Sequence, residues 1–93
     1  MQHSLLVHEA DDHVGVAVVD LCEGAEAHSV TLSGQAAGTV KVVQDIPLGH
    51  KVAMRDIQQG EDVVEYGRPI GRASDPIACG AHVHTHNLRS LRW

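Results

Sequence analysis

A chain of 93 residues has room for one domain with one core; it shows no basic leader followed by an apolar run, nor a stretch near the ~18 apolar residues of a membrane helix. A net charge of -5 with one Trp, one Tyr and no Phe argues against nucleic-acid binding, which calls for basic surface and stacking aromatics. Cys22 and Cys79 lie outside any C-x-x-C pair and are too few for a disulfide framework, so a soluble, unprocessed, cytoplasmic protein with reduced thiols is expected.

With so few aromatics the core must come from Val, Ile, Leu and Ala, and β-branched Val favours strands. No apolar run has the 3.6-residue period of a helix. In chain order the predicted strands are Leu5 to His8, Val14 to Asp20, Ser29 to Leu32, Thr39 to Val43, Lys51 to Met54, Val63 to Tyr66, Ile70 to Ala73 and His82 to His86. Between the third and fourth, Ser33 to Gly38 reads as a loop or hairpin turn. The fold class is therefore all-β.

One turn pattern recurs: an apolar residue, two variable residues, Gly, two more residues, then Val or Ala. It begins at Leu21, Ile46, Ile57 and Ile77, and Asp directly precedes the first three of these. The apolar residue anchors in the core, Gly supplies a positive φ, and the next strand leaves with its Val or Ala inward. The spacing is uneven, which excludes a stacked solenoid.

Eight histidines stand out, and His82-Val83-His84-Thr85-His86-Asn87 holds three of them at alternate positions. An extended segment puts those three imidazoles on one side, with same-face roots about 7 Å apart. They can then converge on a metal or a substrate, or they can form a histidine-rich edge that meets water or a partner. Gly49-His50-Lys51 places an imidazole and a cation after a tight turn, where Lys51 can hold an anionic group while His50 donates a hydrogen bond. Leu88 to Trp93 reads as a basic tail ending in an aromatic, either a partner contact or a frayed terminus. No nucleophile elbow, phosphate loop or dinucleotide fingerprint is present.

Gly49-His50-Lys51-Val52-Ala53-Met54, Asp56-Ile57, Gly60, Val63-Val64-Glu65-Tyr66-Gly67, Ile70-Gly71 and His82 to Asn87 together resemble the SAF-type domain of altronate and galactarate dehydratases. The likeness runs from about Val14 to Asn87 and is thinnest over Ala25 to Gly38. A free-standing version with a basic tail is similar to the small subunits of sulfolactate sulfo-lyases. The resemblance implies a β-clip fold of bent, mostly antiparallel hairpins over residues 1–93, with 88–93 as the tail.

It also implies a metal-dependent elimination of sulfite or water from a hydroxy acid such as sulfolactate or a sugar acid, with ferrous iron, Fe(2+), as the ion. A base takes the proton beside the carboxylate, the leaving group departs from the neighbouring carbon, and the enol relaxes to a 2-keto acid. A separate large catalytic subunit is the implied partner, with a homo-oligomer as a further option, and neither nucleic acid nor membrane is expected. By this likeness His50, Lys51 and His86 serve catalysis, His82, His84 and Asn87 contact substrate, and His84 with His86 hold the metal. Two other functions fit the residues: a non-catalytic assembly or regulatory subunit, and a stand-alone binding module for an acidic metabolite.

Overall fold

Four turns of one kind organise the chain. In the computed structural model, which describes residues 3–90, the anchors Leu21, Ile46, Ile57 and Ile77 are all buried, and the glycine three residues after each has φ between 84° and 89°. The turns work in pairs. Leu21 and Ile46 exchange two backbone hydrogen bonds of 2.8 Å, and Ile57 and Ile77 do the same. Each preceding aspartate serves the other turn of its pair: the Glu23 amide donates to Asp45 Oδ1 (2.9 Å), Leu48 to Asp20 Oδ1 (2.8 Å) and Cys79 to Asp56 Oδ1 (2.8 Å). Before the fourth anchor, Pro76 intrudes between Asp75 and Ile77, and no matching bond forms there among the described residues.

These turns link nine strands: β1 (Leu5–Val7), β2 (Val14–Ala17), β3 (Glu26–Thr31), β4 (Ala36–Lys41), β5 (Lys51–Ala53), β6 (Asp62–Glu65), β7 (Arg68–Ala73), β8 (His82–Val83) and β9 (Leu88–Ser90). Six form one sheet in the order β4-β3-β1-β2-β5-β8, and three form another in the order β6-β7-β9. All pairings are antiparallel except β1 with β3. The six-stranded sheet curls, so that the Val43 amide beyond β4 donates to the Gly80 carbonyl before β8 (3.1 Å). No helix occurs among the described residues, so none is long and apolar enough to cross a membrane. The expected all-β, bent-hairpin architecture is what the chain adopts.

Two apolar clusters fill it. Leu5, Leu21, Val40, Ile46 and Val52 belong to the first, and Val14, Ala53, Ile57, Val63 and Val83 to the second. β5 serves both, because successive side chains on a strand point to opposite faces: Val52 enters one core and Ala53 the other. The same alternation puts Lys51 on the side of the second core.

The expected strands need adjustment at several bounds, four of which bear on the architecture. β2 stops at Ala17 rather than Asp20, since the chain bends into the first turn. The loop expected over Ser33 to Gly38 is shorter, for Ala36 and Gly38 already pair in β4 with Val30 and Ser29, and the bulge at Ser29/Val30 leaves Ala37 as the extra residue between them. The strand expected over His82 to His86 ends at Val83. The first half of the expected tail is instead β9, the outer strand of the second sheet; Leu91 to Trp93 lie outside the described residues. β7 and β9 come so close that a side chain at Gly71 would collide with the Arg89 carbonyl.

Candidate metal and substrate site

The Gly49 turn delivers the chain into β5, whose Lys51 and Val52 stand opposite Val83 and His82 of β8. β8 is an edge strand, and its outward amide at His82 finds Gln44 Oε1 at 3.1 Å. The chain then turns instead of continuing. Asn87, 7% exposed, accepts the His84 amide on Oδ1 (2.9 Å) and donates from Nδ2 to the His82 carbonyl (2.8 Å). The Asn87 and Leu88 amides both donate to the His84 carbonyl (3.0 and 2.8 Å), closing the turn. A carboxamide that bonds its own neighbourhood in this way competes with strand continuation.

The turn gathers the rings instead of lining them along a strand. His82 and His84 stack with centroids 5.5 Å apart and planes 9° from parallel, and His86 lies 5.3 Å from His82. His50 completes the group, with its ring 4.9 Å from His82 and 4.8 Å from His84. One nitrogen each from His50, His82 and His84 fall within 4.8 Å of one another. The closest approach, His50 Nδ1 to His82 Nε2, is 2.8 Å. Nitrogens sharing one metal at about 2.1 Å stand about 3.4 Å apart in a tetrahedral site, so small ring movements suffice. Burial, and then the neighbouring His50, His86 and His84, push the His82 pKa below its ordinary value. The shift favours the neutral ring, the form with a lone pair to offer that a ligand requires.

Beside the rings lies a cleft of about 450 Å³, lined among others by Lys51, Ser74, His84, Thr85, His86 and Arg89. His84 belongs to both the ring cluster and the cleft. The expected site residues therefore divide. His50, His82 and His84 form the donor set, whereas Lys51 and His86 face the cleft. Among the described residues the three-nitrogen set is His50, His82 and His84, with the expected ligand His86 outside it. Asn87 shapes the turn by holding His82 and His84, and it is not among the residues of the cleft. His50 and Lys51, neighbours in sequence, alternate in direction as β5 begins, which puts His50 in the ring cluster and Lys51 on the cleft.

Two residues escaped the sequence reading. Arg89 was assigned to a tail, because nothing in Leu88-Arg89-Ser90 signals a strand. Glu65, 6% exposed, points inward on β6 like Val63. Burial pushes its carboxyl up from the ordinary range; the Lys51 ammonium opposes this, Asp12 adds to it and His8 opposes it weakly. A charged residue at an inward position of an alternating strand is the signal that could have marked it.

The altronate/galactarate dehydratase SAF domain family matches residues 3–91. Over the full length of both chains, the protein is 40% identical to (2R)-sulfolactate sulfo-lyase subunit alpha of Chromohalobacter salexigens. It is also 48% identical over 79 residues to the altronate dehydratase of Escherichia coli, covering 85% of this chain and 15% of that one. With the altronate dehydratase of Bacillus subtilis it shares 34% over 90 residues, which is 97% of this chain and 17% of the relative. Matched to the whole of one relative and to about a sixth of the others, this chain is a small domain associated with lyases, and it belongs to the altronate/galactarate dehydratase SAF domain family.

Proposed function

We propose that this chain is the small subunit of a lyase that eliminates sulfite or water from a small hydroxy acid, acting with a separate, larger catalytic subunit. The observation that carries the proposal is the convergence of His50, His82 and His84 beside a cleft that also holds Lys51 and His86. A family member of the same length is named as an alpha subunit, which implies a further subunit, and elsewhere the domain is a small part of a larger dehydratase. Two free cysteines, one exposed, suit the reducing cytoplasm.

Three imidazoles with open positions beside them suit a divalent transition ion, for which we favour ferrous iron. His50, His82 and His84 would hold it, and when bound it would supply Lewis-acid stabilisation of charge developing on the substrate's carboxylate and hydroxyl oxygens. The remaining work falls to the chain's own groups. Lys51 anchors an anionic end of the acid as a point charge. His86, outside the donor set and on the cleft, accepts the proton from the carbon beside the carboxylate on a ring nitrogen. Ser74 and Thr85 offer hydroxyls to orient the substrate. Loss of sulfite or water from the neighbouring carbon leaves an enol that relaxes to a 2-keto acid. The larger subunit covers the exposed side of the cleft and excludes bulk water.

Reconstitution with the larger subunit tests this reading. Release of sulfite and a keto acid from sulfolactate, or loss of water from a sugar acid, should require both chains and should fall on His84→Ala or His86→Ala. Full-rate turnover by the larger subunit alone would instead make this chain a non-catalytic assembly subunit.

A further inference from the structure

We propose that Arg89 is the second half of a two-cation cradle, so that the cleft selects a small acid carrying an anionic group at each end. This deepens the lyase reading and rests on it. The two cations reach the cleft from different sheets: Lys51 stands on β5 of the six-stranded sheet and Arg89 on β9 of the three-stranded one. The turn that carries His84 and His86 joins those sheets and lies between the two cations in the chain's path.

The charge pattern is what points to a ligand. The chain has 12 acidic residues against seven Lys and Arg, yet no Asp or Glu lines this cleft, while two of the seven cations do. Among the described residues the ion pair of this region belongs to Arg72, the cross-strand neighbour of Arg89, whose Nε lies 3.1 Å from Asp62 Oδ1. That pair satisfies Arg72 and leaves Arg89 without an acidic partner within contact distance among the described residues. Glu65, buried on β6, is an acid whose charge acts on Lys51, and it does not line the cleft. Two cations in a concave site whose lining holds no acid focus anions even on a protein of net negative charge.

The two ends are not equivalent. A guanidinium presents a planar fork that two oxygens of a carboxylate or sulfonate can meet together, whereas an ammonium acts as a point charge. The cleft, about 450 Å³, is of a size for a small metabolite rather than a polymer. Ser74 and Thr85, which line the same cleft, can meet hydroxyls on the acid. A monoanionic acid of the same length would leave one cation unmatched.

NMR titration of the full 93-residue chain tests the cradle, with sulfolactate and malate as dianions and lactate and glycerate as monoanions. The unaltered chain should prefer the dianions. In Arg89→Gln the dianion affinity should fall about tenfold or more, with monoanion affinity moving less than about threefold, as loss of one charge-assisted contact predicts. Arg89→Lys should recover part of the preference. The exposed position of Arg89 spares the core, and an unchanged amide spectrum away from the cleft verifies folding. Equal binding of both acid classes by the unaltered chain, or equal losses for both in Arg89→Gln, overturns the cradle. Turnover by the reconstituted complex separates the two proposals: a working lyase whose Arg89→Gln variant keeps its dianion preference sinks the cradle alone. An inactive complex built on a dianion-selective chain sinks the lyase reading alone.

Discussion

His50 Nδ1 and His82 Nε2 meet at 2.8 Å although 32 positions separate the two residues in the chain. Nitrogens that close share a single proton, so at least one of the two rings is neutral, and replacing that proton by a metal keeps both lone pairs occupied.

The first prediction follows from that contact. The full chain should bind Co(II) as a spectroscopic stand-in for ferrous iron, and His50→Ala, His82→Ala and His84→Ala should each weaken it about a hundredfold or more, beyond the usual cost of losing an outer-shell partner. His86→Ala should change it less than about threefold, since His86 is outside the three-nitrogen set. Titration followed by the visible d–d bands reads the result. A large loss in His86→Ala with none in His50→Ala would make His84 and His86 the metal pair instead.

Gly24 and Gly80 occupy equivalent turns with φ of 89° and 88°, yet their surroundings differ. A Cβ at Gly24 meets open space, whereas one at Gly80 collides with the Lys41 carbonyl where the six-stranded sheet curls back on itself. Gly24→Ala should cost about 1–2 kcal/mol, the penalty of a left-handed backbone with a side chain. Gly80→Ala should cost about 1–3 kcal/mol more, the typical cost of overpacking. Urea denaturation of the pair measures the difference, and equal midpoints would mean that the curled sheet yields freely at Lys41.

Asp12, 4% exposed, takes three backbone amides: Glu9 (3.2 Å) and Tyr66 (2.9 Å) on Oδ2 and Gly67 (3.1 Å) on Oδ1. It thereby ties the β1–β2 connection to the β6–β7 hairpin, whose Tyr66 sits at φ 60°. Asp12→Ala strands those donors and should destabilise the protein by about 3 kcal/mol or more, and Asp12→Asn, which keeps one oxygen, by less. Hydrogen exchange at Tyr66 and Gly67 should accelerate ahead of the core amides. Uniform acceleration would show that Asp12 stabilises the whole fold and not this hairpin.

Short β-branched runs and the recurring glycine turn are local signals, and the strands around Leu5, Val14, Val52 and Val63 were legible from them. The exchange of aspartate caps between paired turns was not, because it joins residues 22, 28 and 23 positions apart. His82-Val83-His84-Thr85-His86 reads as a strand by its alternation, and only the buried Asn87 amide, bonded back to His82 and His84, ends it early. For the site, the late histidines were visible as a group, but the addition of His50 depended on β5 pairing with β8. β9 was invisible for a plainer reason: three residues of mixed polarity become a strand only because β7 offers an edge.

Glu65 gives a pH dependence of definite sign. Its carboxyl is raised above the ordinary 4.5 chiefly by burial, so between 4.5 and its folded-state value the folded chain binds more protons than the unfolded one. Stability from this group is therefore present at acid pH and lost as pH rises through that window. Glu65→Gln, neutral at every pH, should be more stable than the unaltered protein at pH 7, and the advantage should disappear below pH 4.5. Urea midpoints at the two pH values decide it. An advantage of equal size at both would trace to packing and not to charge.

Asn87 provides the sharpest test of whether the turn, and not the mere presence of histidines, makes the metal set. Asn87→Ala leaves His50, His82 and His84 in place but removes the bonds to the His84 amide and the His82 carbonyl. The loss should cost about 1–3 kcal/mol, the penalty for stranding buried polar groups. If the turn orients the rings, Co(II) affinity should also fall about tenfold or more, as for other groups that position a ligand. Asn87→Asp keeps the acceptor for the His84 amide but sets a carboxylate oxygen against the His82 carbonyl, so it should rescue neither property fully. A variant that loses stability while binding Co(II) as before would show that the rings find each other without the turn, through the β5–β8 pairing alone.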